Sequence, residues 1–306
     1  MELQQLRYAV AIAETGSFTR AAEACHVTQS ALSHQVAALE RELGARLFVR
    51  GPREVRETAA GDALMAQARV ALAAVDRARD DVAAAEGVVR GTLRLGVIPT
   101  VVAIDVPTTV RAFRERFPEV RVEVTVGSSD EMVAQIGRGE LDVALLGLHA
   151  DVAPVGAAAR ELRRERLVTI VSRAHRLASR RRLRIAELAG SVFVDFPASS
   201  PGRVQTDMAF AAADVPRDVA FEAWHAEHVL GIVAADLAVA MVAPGVAVHS
   251  PDVVAIPTTG APERVEHLAW HPSDPSPAAR AFVEILGGPA ADPLACSARR
   301  SARMDP

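Results

Sequence analysis

Lysine is missing altogether: all 34 basic residues of this 306-residue chain are arginine. Schiff-base chemistry, a phosphate-cradling P-loop and the nucleotide site of a protein kinase each need a lysine amine, so those classes are excluded. Cysteine occurs only at Cys25 and Cys296, too sparse for a disulfide framework or a cysteine-rich metal site. Such sparing use suits a reducing cytoplasm. Aromatic residues make up 4%, and the formal net charge of −4 leaves no broad basic field. Long apolar runs are scarce too. The longest, residues 229–248, carries Asp236 near its centre and a Pro244-Gly245 break, which favour a helix, turn and strand over a membrane span. Residues 1–7 have an acid at position 2 and no basic-then-apolar pattern, so no secretory signal is expected. What remains is half apolar and long enough for two or three compact units.

The first sixty residues contain three short helical patterns with little linker between them. Leu3, Leu6, Val10 and Ala13 recur at helical spacing and Gly16-Ser17 closes the run. Ser17 can cap a second helix whose Ala21, Ala22 and Ala24 allow another helix to cross closely. Thr28 can cap a third, with Leu32, Val36, Leu39 and Leu43 as its apolar stripe and Gly44 as its stop. Gln29, Ser30, Ser33 and His34 lie off that stripe. Two helices joined by a tight turn, the second with polar groups near its start, describe a helix-turn-helix. Residues 47–56 then read as two extended runs about a Gly-Pro turn, a wing whose Arg50, Arg53 and Arg56 are placed to meet phosphates. Residues 1–56 hold seven arginines against six acids, so contact must come from a few well-placed groups. Periodicity alone also allows a small helical protein-interaction domain.

The runs Gly16-Ser17-Phe18-Thr19-Arg20-Ala21-Ala22 and Val27-Thr28-Gln29-Ser30-Ala31-Leu32-Ser33-His34-Gln35-Val36 resemble those of the LysR-type transcriptional regulators. Leu39-Glu40, Leu43-Gly44, Leu47-Phe48, Arg50, Arg53, Thr58 and Ala60-Gly61 follow in register. Two positions depart from the pattern: Cys25 replaces a leucine, and Glu57 replaces a hydrophobe. The resemblance implies an α+β multi-domain fold: a winged helix-turn-helix, a long linker helix and an α/β effector domain of the periplasmic-binding-protein-like type 2 form. The expected boundaries are 1–57, 58–90 and 91–286, with a flexible tail over 287–306. Within the effector domain, subdomain I takes 91–161 and 268–286, and subdomain II takes 162–267. Thr28, Gln29, Ser30, Ser33, His34, Arg50, Arg53 and Arg56 are the expected DNA contacts. The resemblance also implies a bacterial, cytoplasmic regulator and a double-stranded operator of interrupted palindromic form. RNA polymerase is a further expected partner, and none is expected in a membrane.

From Thr58 the chain becomes alanine-rich. Leu64, Ala68, Ala71, Val75, Ala78 and Val82 alternate steps of four and three, a heptad seam. A lone helix would leave that seam wet, so pairing with a second copy is expected, as a homodimer or a dimer of dimers; packing on its own domain is the alternative.

Beyond Gly91 strands and helices alternate. Strands are expected at 93–97, 120–126, 141–146, 167–171, 192–196, 238–242 and 267–270. Helices are expected at 102–117, 131–138, 204–213, 227–236 and 277–286, giving a mainly parallel sheet. Three strand-to-helix turns carry hydroxyls: Pro99-Thr100, Ser128-Ser129-Asp130 and Ala198-Ser199-Ser200-Pro201. Each can offer hydroxyls and backbone N–H groups to a carboxylate or similar anion, although capping is the commoner job of such residues. The resemblance makes them a pocket for a small-molecule effector, with Pro99, Thr100, Ser128, Ser129, Phe196, Ser199 and His225 as its wall, and no other cofactor. Asp130, Asp195 and Glu227 would oppose an anion there. Residues 160–184 hold ten arginines against Glu161 and Glu165, read as a solvated or subunit-contact surface over a second DNA contact. No G-x-S-x-G, H-E-x-x-H, C-x-x-C or G-x-G-x-x-G is present, so no catalytic or metal site is expected. A transport-type solute-binding module would predict an export signal and no DNA module, the reverse of this chain.

Overall fold

The computed structural model describes residues 1–51, 55–248 and 250–287, and these form two compact units. The first unit opens with α1 (Leu3–Thr15), α2 (Phe18–Ala24) and α3 (Gln29–Leu43), followed by the two-stranded wing of β1 (Phe48–Arg50) and β2 (Val55–Glu57). α4 (Ala59–Ala85) completes it. Each boundary has a local cause. Gly16 takes the left-handed conformation (φ 61°) that ends α1, Ser17 caps α2 through the Arg20 N–H, and Thr28 caps α3 through the Ala31 N–H. The apolar stripes then meet: Ile12, Ala21, Leu32, Val36, Leu39, Leu47, Phe48 and Met65 share one core. Glu40 accepts hydrogen bonds from the Leu47 and Phe48 N–H groups at 2.7 and 3.3 Å, which ties the wing to α3. Gly61 is required by close approach, because a Cβ there would run into the Leu47 carbonyl.

The second unit begins with β3 (Gly91–Val97), α5 (Val106–Arg116), β4 (Val120–Val126), α6 (Ser129–Gly137), β5 (Val143–His149) and β6 (Ala158–Arg166). It continues through β7 (Val168–Ser172), β8 (Leu183–Arg184), β9 (Val192–Asp195), α7 (Pro201–Ala212), β10 (Asp218–Glu222), α8 (Ala226–Ala234) and β11 (Ala240–Val242). The last elements are α9 (Pro244–Ala247), β12 (Val253–Thr259), β13 (Glu263–Trp270) and α10 (Pro277–Ile285). One sheet has the order β4-β3-β5-β13-β6 and another β11-β7-β12-β8, with β9 and β10 paired beside the latter. Each subdomain is held by its own apolar cluster, one around Leu93, Phe113, Val143 and Phe282, the other around Ile170, Phe193, Phe210 and Val233.

Two expectations are corrected. The sheets are mixed and not mainly parallel: β13 runs antiparallel to both β5 and β6, and β7 antiparallel to β11 and β12. The chain also passes between subdomains after Arg166 and before Glu263, not near 162 and 267, because β6 and β13 pair along their full length. α5 starts four residues later than its apolar pattern, where Asp105 caps the Thr108 N–H. The apolar stretch at 229–248 divides into α8, β11 and α9, with Asp236 in a left-handed turn (φ 59°). Among the described residues no helix is long and apolar enough to cross a membrane.

Candidate DNA-binding face and ligand cleft

α3 buries Leu32, Val36 and Leu39 and so turns its other side outward. Thr28, Gln29, Ser30 and His34 are exposed and Ser33 is half-buried. The Gln29 amide donates to the Ser33 hydroxyl at 3.0 Å, and the Thr28 and Ser30 hydroxyls lie 3.2 Å apart. This is a continuous polar strip at a helix start, able to exchange donors and acceptors with base edges and phosphates. Arg56 is exposed on β2. The Arg50 side chain and all of Arg53 lie outside the described residues, as does the segment 288–306 expected to be a flexible tail.

On α4 the heptad seam divides. Leu64 packs on the winged core and Ala68 is buried, while α4 lies against α1. Ala71 and Val75 are half-covered, Ala78 is exposed, and Val82 is 69% exposed. Packing on its own unit therefore takes the first heptad, and Ala78 and Val82 at the far end stay open.

Between the subdomains of the second unit lies a cavity of about 340 Å³. Its wall is mostly apolar, with Ile98, Leu167, Phe196, Trp224 and Met241 among the lining residues. Pro99, Thr100, Ser128, Ser129 and His225 also line it. Ser199 does not: it is exposed, and Ser200 takes the inward place because it caps α7 through the Arg203 N–H. Ser129 lines the cavity, but its hydroxyl donates to the Gly147 carbonyl (3.2 Å) and accepts from the Gly147 N–H (3.0 Å), joining α6 to β5. Asp130 and Glu227 are exposed and outside the lining. Asp195 is buried at the cavity, yet its charge is met by Arg217, which stacks over Phe193 and Phe210 at 4.8 and 5.2 Å.

Sequence patterns missed three buried polar groups, two that line the cleft (Arg264 and Gln205) and one paired with Arg264 (Glu266). Arg264 donates to the Thr100 hydroxyl at 2.7 Å and to its carbonyl at 3.0 Å, and pairs with Glu266. Glu266 in turn accepts from the Val102 and Ala103 N–H groups at 3.1 and 2.9 Å. Both are on β13, whose start was expected only at His267; alternation of Arg264 and Glu266 on one strand face was the available signal. Gln205 on α7 is the third, and its sequence context held no signal.

Part of the arginine-rich run is paired in place. Arg163 pairs with Glu165 (3.0 Å), Arg164 with Glu161 (2.8 Å), Arg166 with Glu263 (3.4 Å) and Arg180 with Glu187. The hydrogen bond from Arg164 pulls the Glu161 carboxyl below its ordinary pKa. Among the described residues no group of histidine, cysteine and acidic side chains could hold a metal ion.

The winged helix-turn-helix and the two-subdomain unit are the parts of a DNA-binding regulator with a substrate-binding-type domain. A family model for a bacterial regulatory helix-turn-helix protein of the LysR family matches residues 3–62, and one for the LysR substrate binding domain matches residues 86–289. The chain belongs to the LysR family, whose members are transcription regulators and not enzymes. It is similar to a probable hydrogen peroxide-inducible genes activator of Mycobacterium xenopi, 36% identical over 59% of this chain and 95% of the relative. The regulator TfdT of Cupriavidus pinatubonensis is 40% identical over 47% of this chain and 63% of its own. Beyond the first relative the matched stretch is partial, 58% of the Mycobacterium avium activator and 48% of OxyR of Escherichia coli K12. Full-length CbnR in complex with its target DNA superposes with a TM-score of 0.69 at 27% identity, over 94% of this chain and 99% of that one. A full-length OxyR variant from Pseudomonas aeruginosa shares the fold, with a TM-score of 0.71 at 24% identity over 94% and 93% of the two chains.

Proposed function

We propose that this regulator is an intracellular homodimer, or a dimer of dimers, that reads an interrupted palindrome through α3 and changes its action when a small molecule enters the cleft. The polar strip Thr28-Gln29-Ser30-Ser33-His34 carries the reading, because only that face of α3 is free of the core. Base-edge contact falls to Gln29, Ser33 and His34, and backbone contact to Thr28, Ser30, Arg50, Arg53 and Arg56. Ala71, Val75, Ala78 and Val82 supply the dimer seam, with Leu64 and Ala68 as its partly spent start. The effector meets Pro99, Thr100, Ser128, Phe196 and His225, with Ser129 bracing the floor. Its binding favours one arrangement of the subdomains over another, and contact with RNA polymerase transmits the result.

Several relatives are named for peroxide induction, but a thiol switch does not suit this effector domain. Between residues 91 and 287 there is no cysteine, so oxidation of a thiol cannot be the trigger there. Cys25 sits half-buried in the winged unit, where burial and the nearby Glu14 raise its pKa and disfavour the reactive thiolate. A bound ligand is the better trigger.

Genomic fragments selected on the protein, then footprinted with Ser33→Ala and His34→Ala, test the reading. Each variant is expected to relax discrimination by about 1–3 kcal/mol at one base position of each half-site. Unaltered footprints and sequence preference in both would refute the assignment of α3.

A further inference from the structure

The cleft contains polar groups that the proposed function leaves unused. Gln205 is 3% exposed and lines the cavity, and neither its amide oxygen nor its amide nitrogen has a hydrogen-bond partner. Arg264, 5% exposed and also lining the cavity, leaves its Nε without one. Buried polar atoms in native proteins are almost always satisfied, so two orphaned donors and one orphaned acceptor around one cavity point to a ligand that completes them.

The charge of that ligand follows from Glu266. Its carboxylate already takes the N–H groups of Val102 and Ala103, the free donors of the turn after β3, and pairs with Arg264. Glu165, facing Arg264 across the β6–β13 pair, approaches the same guanidinium at 3.5 Å. The other buried acid, Asp195, is matched by Arg217. An incoming carboxylate would lose its hydration and meet no uncompensated cation. The equipment for holding an anion is present but filled by the protein's own side chain.

We infer that the effector is an uncharged, mainly apolar compound whose head carries a carbonyl and an N–H, as in a carboxamide or lactam. Gln205 reads the head, and Glu266 already holds the N–H donors and the guanidinium that a ligand carboxylate would need. The inference rests on the cleft being the effector site. A cavity of about 340 Å³ takes a body of one or two rings, given that one of ~150 Å³ takes benzene.

The chain has two tryptophans, Trp224 at the cavity, 68% exposed, and Trp270 in the core, so ligand-dependent emission reports on Trp224. Full-length protein is titrated with cyclohexanecarboxamide against cyclohexanecarboxylate, and phenylacetamide against phenylacetate. In the wild type the amide of a pair should bind at least about tenfold more tightly than the acid. Gln205→Leu should erase that preference with an unchanged or higher melting temperature, since it removes two orphaned atoms at similar volume. Glu266→Gln should move the preference toward the carboxylate by freeing the charge of Arg264, and it decides the matter even where Gln205→Leu does not fold. Carboxylates that bind the wild type as tightly as their amides would overturn the inference and leave the cleft reading standing. Emission that no probe changes in any of the three proteins would overturn both.

Discussion

Ser129 shows how one hydroxyl can belong to a site and still not serve it. Its sequence context, a serine pair before a helix, marks it as a ligand contact or a cap. In the structure it closes two hydrogen bonds with the backbone of Gly147, toward the end of a strand buried on both faces. Ser129→Ala would strip partners from a buried N–H and carbonyl, so it should cost about 1–3 kcal/mol in urea unfolding. Thr100→Val removes a cavity-facing hydroxyl that also accepts from the buried Arg264 guanidinium, so it should lower ligand response and cost about 1–3 kcal/mol of stability as well. Equal stability of Ser129→Ala and wild type would show that α6 and β5 are held some other way. Arg264 teaches the converse: an arginine in an arginine-rich protein attracts no notice, and only burial beside two acids gives it meaning.

At the scale of elements, local rules carried well where one residue decides a boundary. Gly16, Ser17, Thr28 and Gly44 end or start helices as their chemistry requires. Strands that depend on partners carried poorly. β6 and β12 have alternating or proline-containing sequences that read as loop or charged surface, and each exists because a neighbour supplies its hydrogen bonds. The junction of β2 and α4 holds a departure from the family pattern. Glu57 is partly buried next to Asp62, and burial first, then that neighbour, raises its carboxyl pKa. A carboxyl raised in the folded state binds its proton more tightly there, so stability falls as pH rises through that value. Glu57→Gln should therefore stabilise the winged unit near neutral pH by about 0.5 kcal/mol, with the gain vanishing as pH drops below the ordinary carboxylate range. A gain independent of pH in thermal melts would remove the carboxyl from the explanation.

At the scale of the molecule, the exposed end of the α4 seam is the testable feature. Val82 and Ala78 stay open after α4 has packed on α1. Val82→Glu should shift sedimentation from dimer toward monomer and weaken operator binding, because single half-sites then bind independently. A variant that remains fully dimeric with unchanged operator affinity would place the interface elsewhere.

The DNA-reading module, the helical linker and the core strands and helices of the α/β half were determined by sequence alone, since caps, turns and apolar periods act over a few neighbouring residues; β6, β8, β10 and β12 were not. The direction of the strands, the crossing points between subdomains and the character of the cleft were decided by tertiary structure. Arg264, Thr100 and Gln205 come from distant parts of the chain, and their polar groups are met or left unanswered only once the sheet and α7 bring them to one cavity, with Glu266 paired to Arg264. Local periodicity encodes which face is apolar, but not which buried polar group finds a partner across that face.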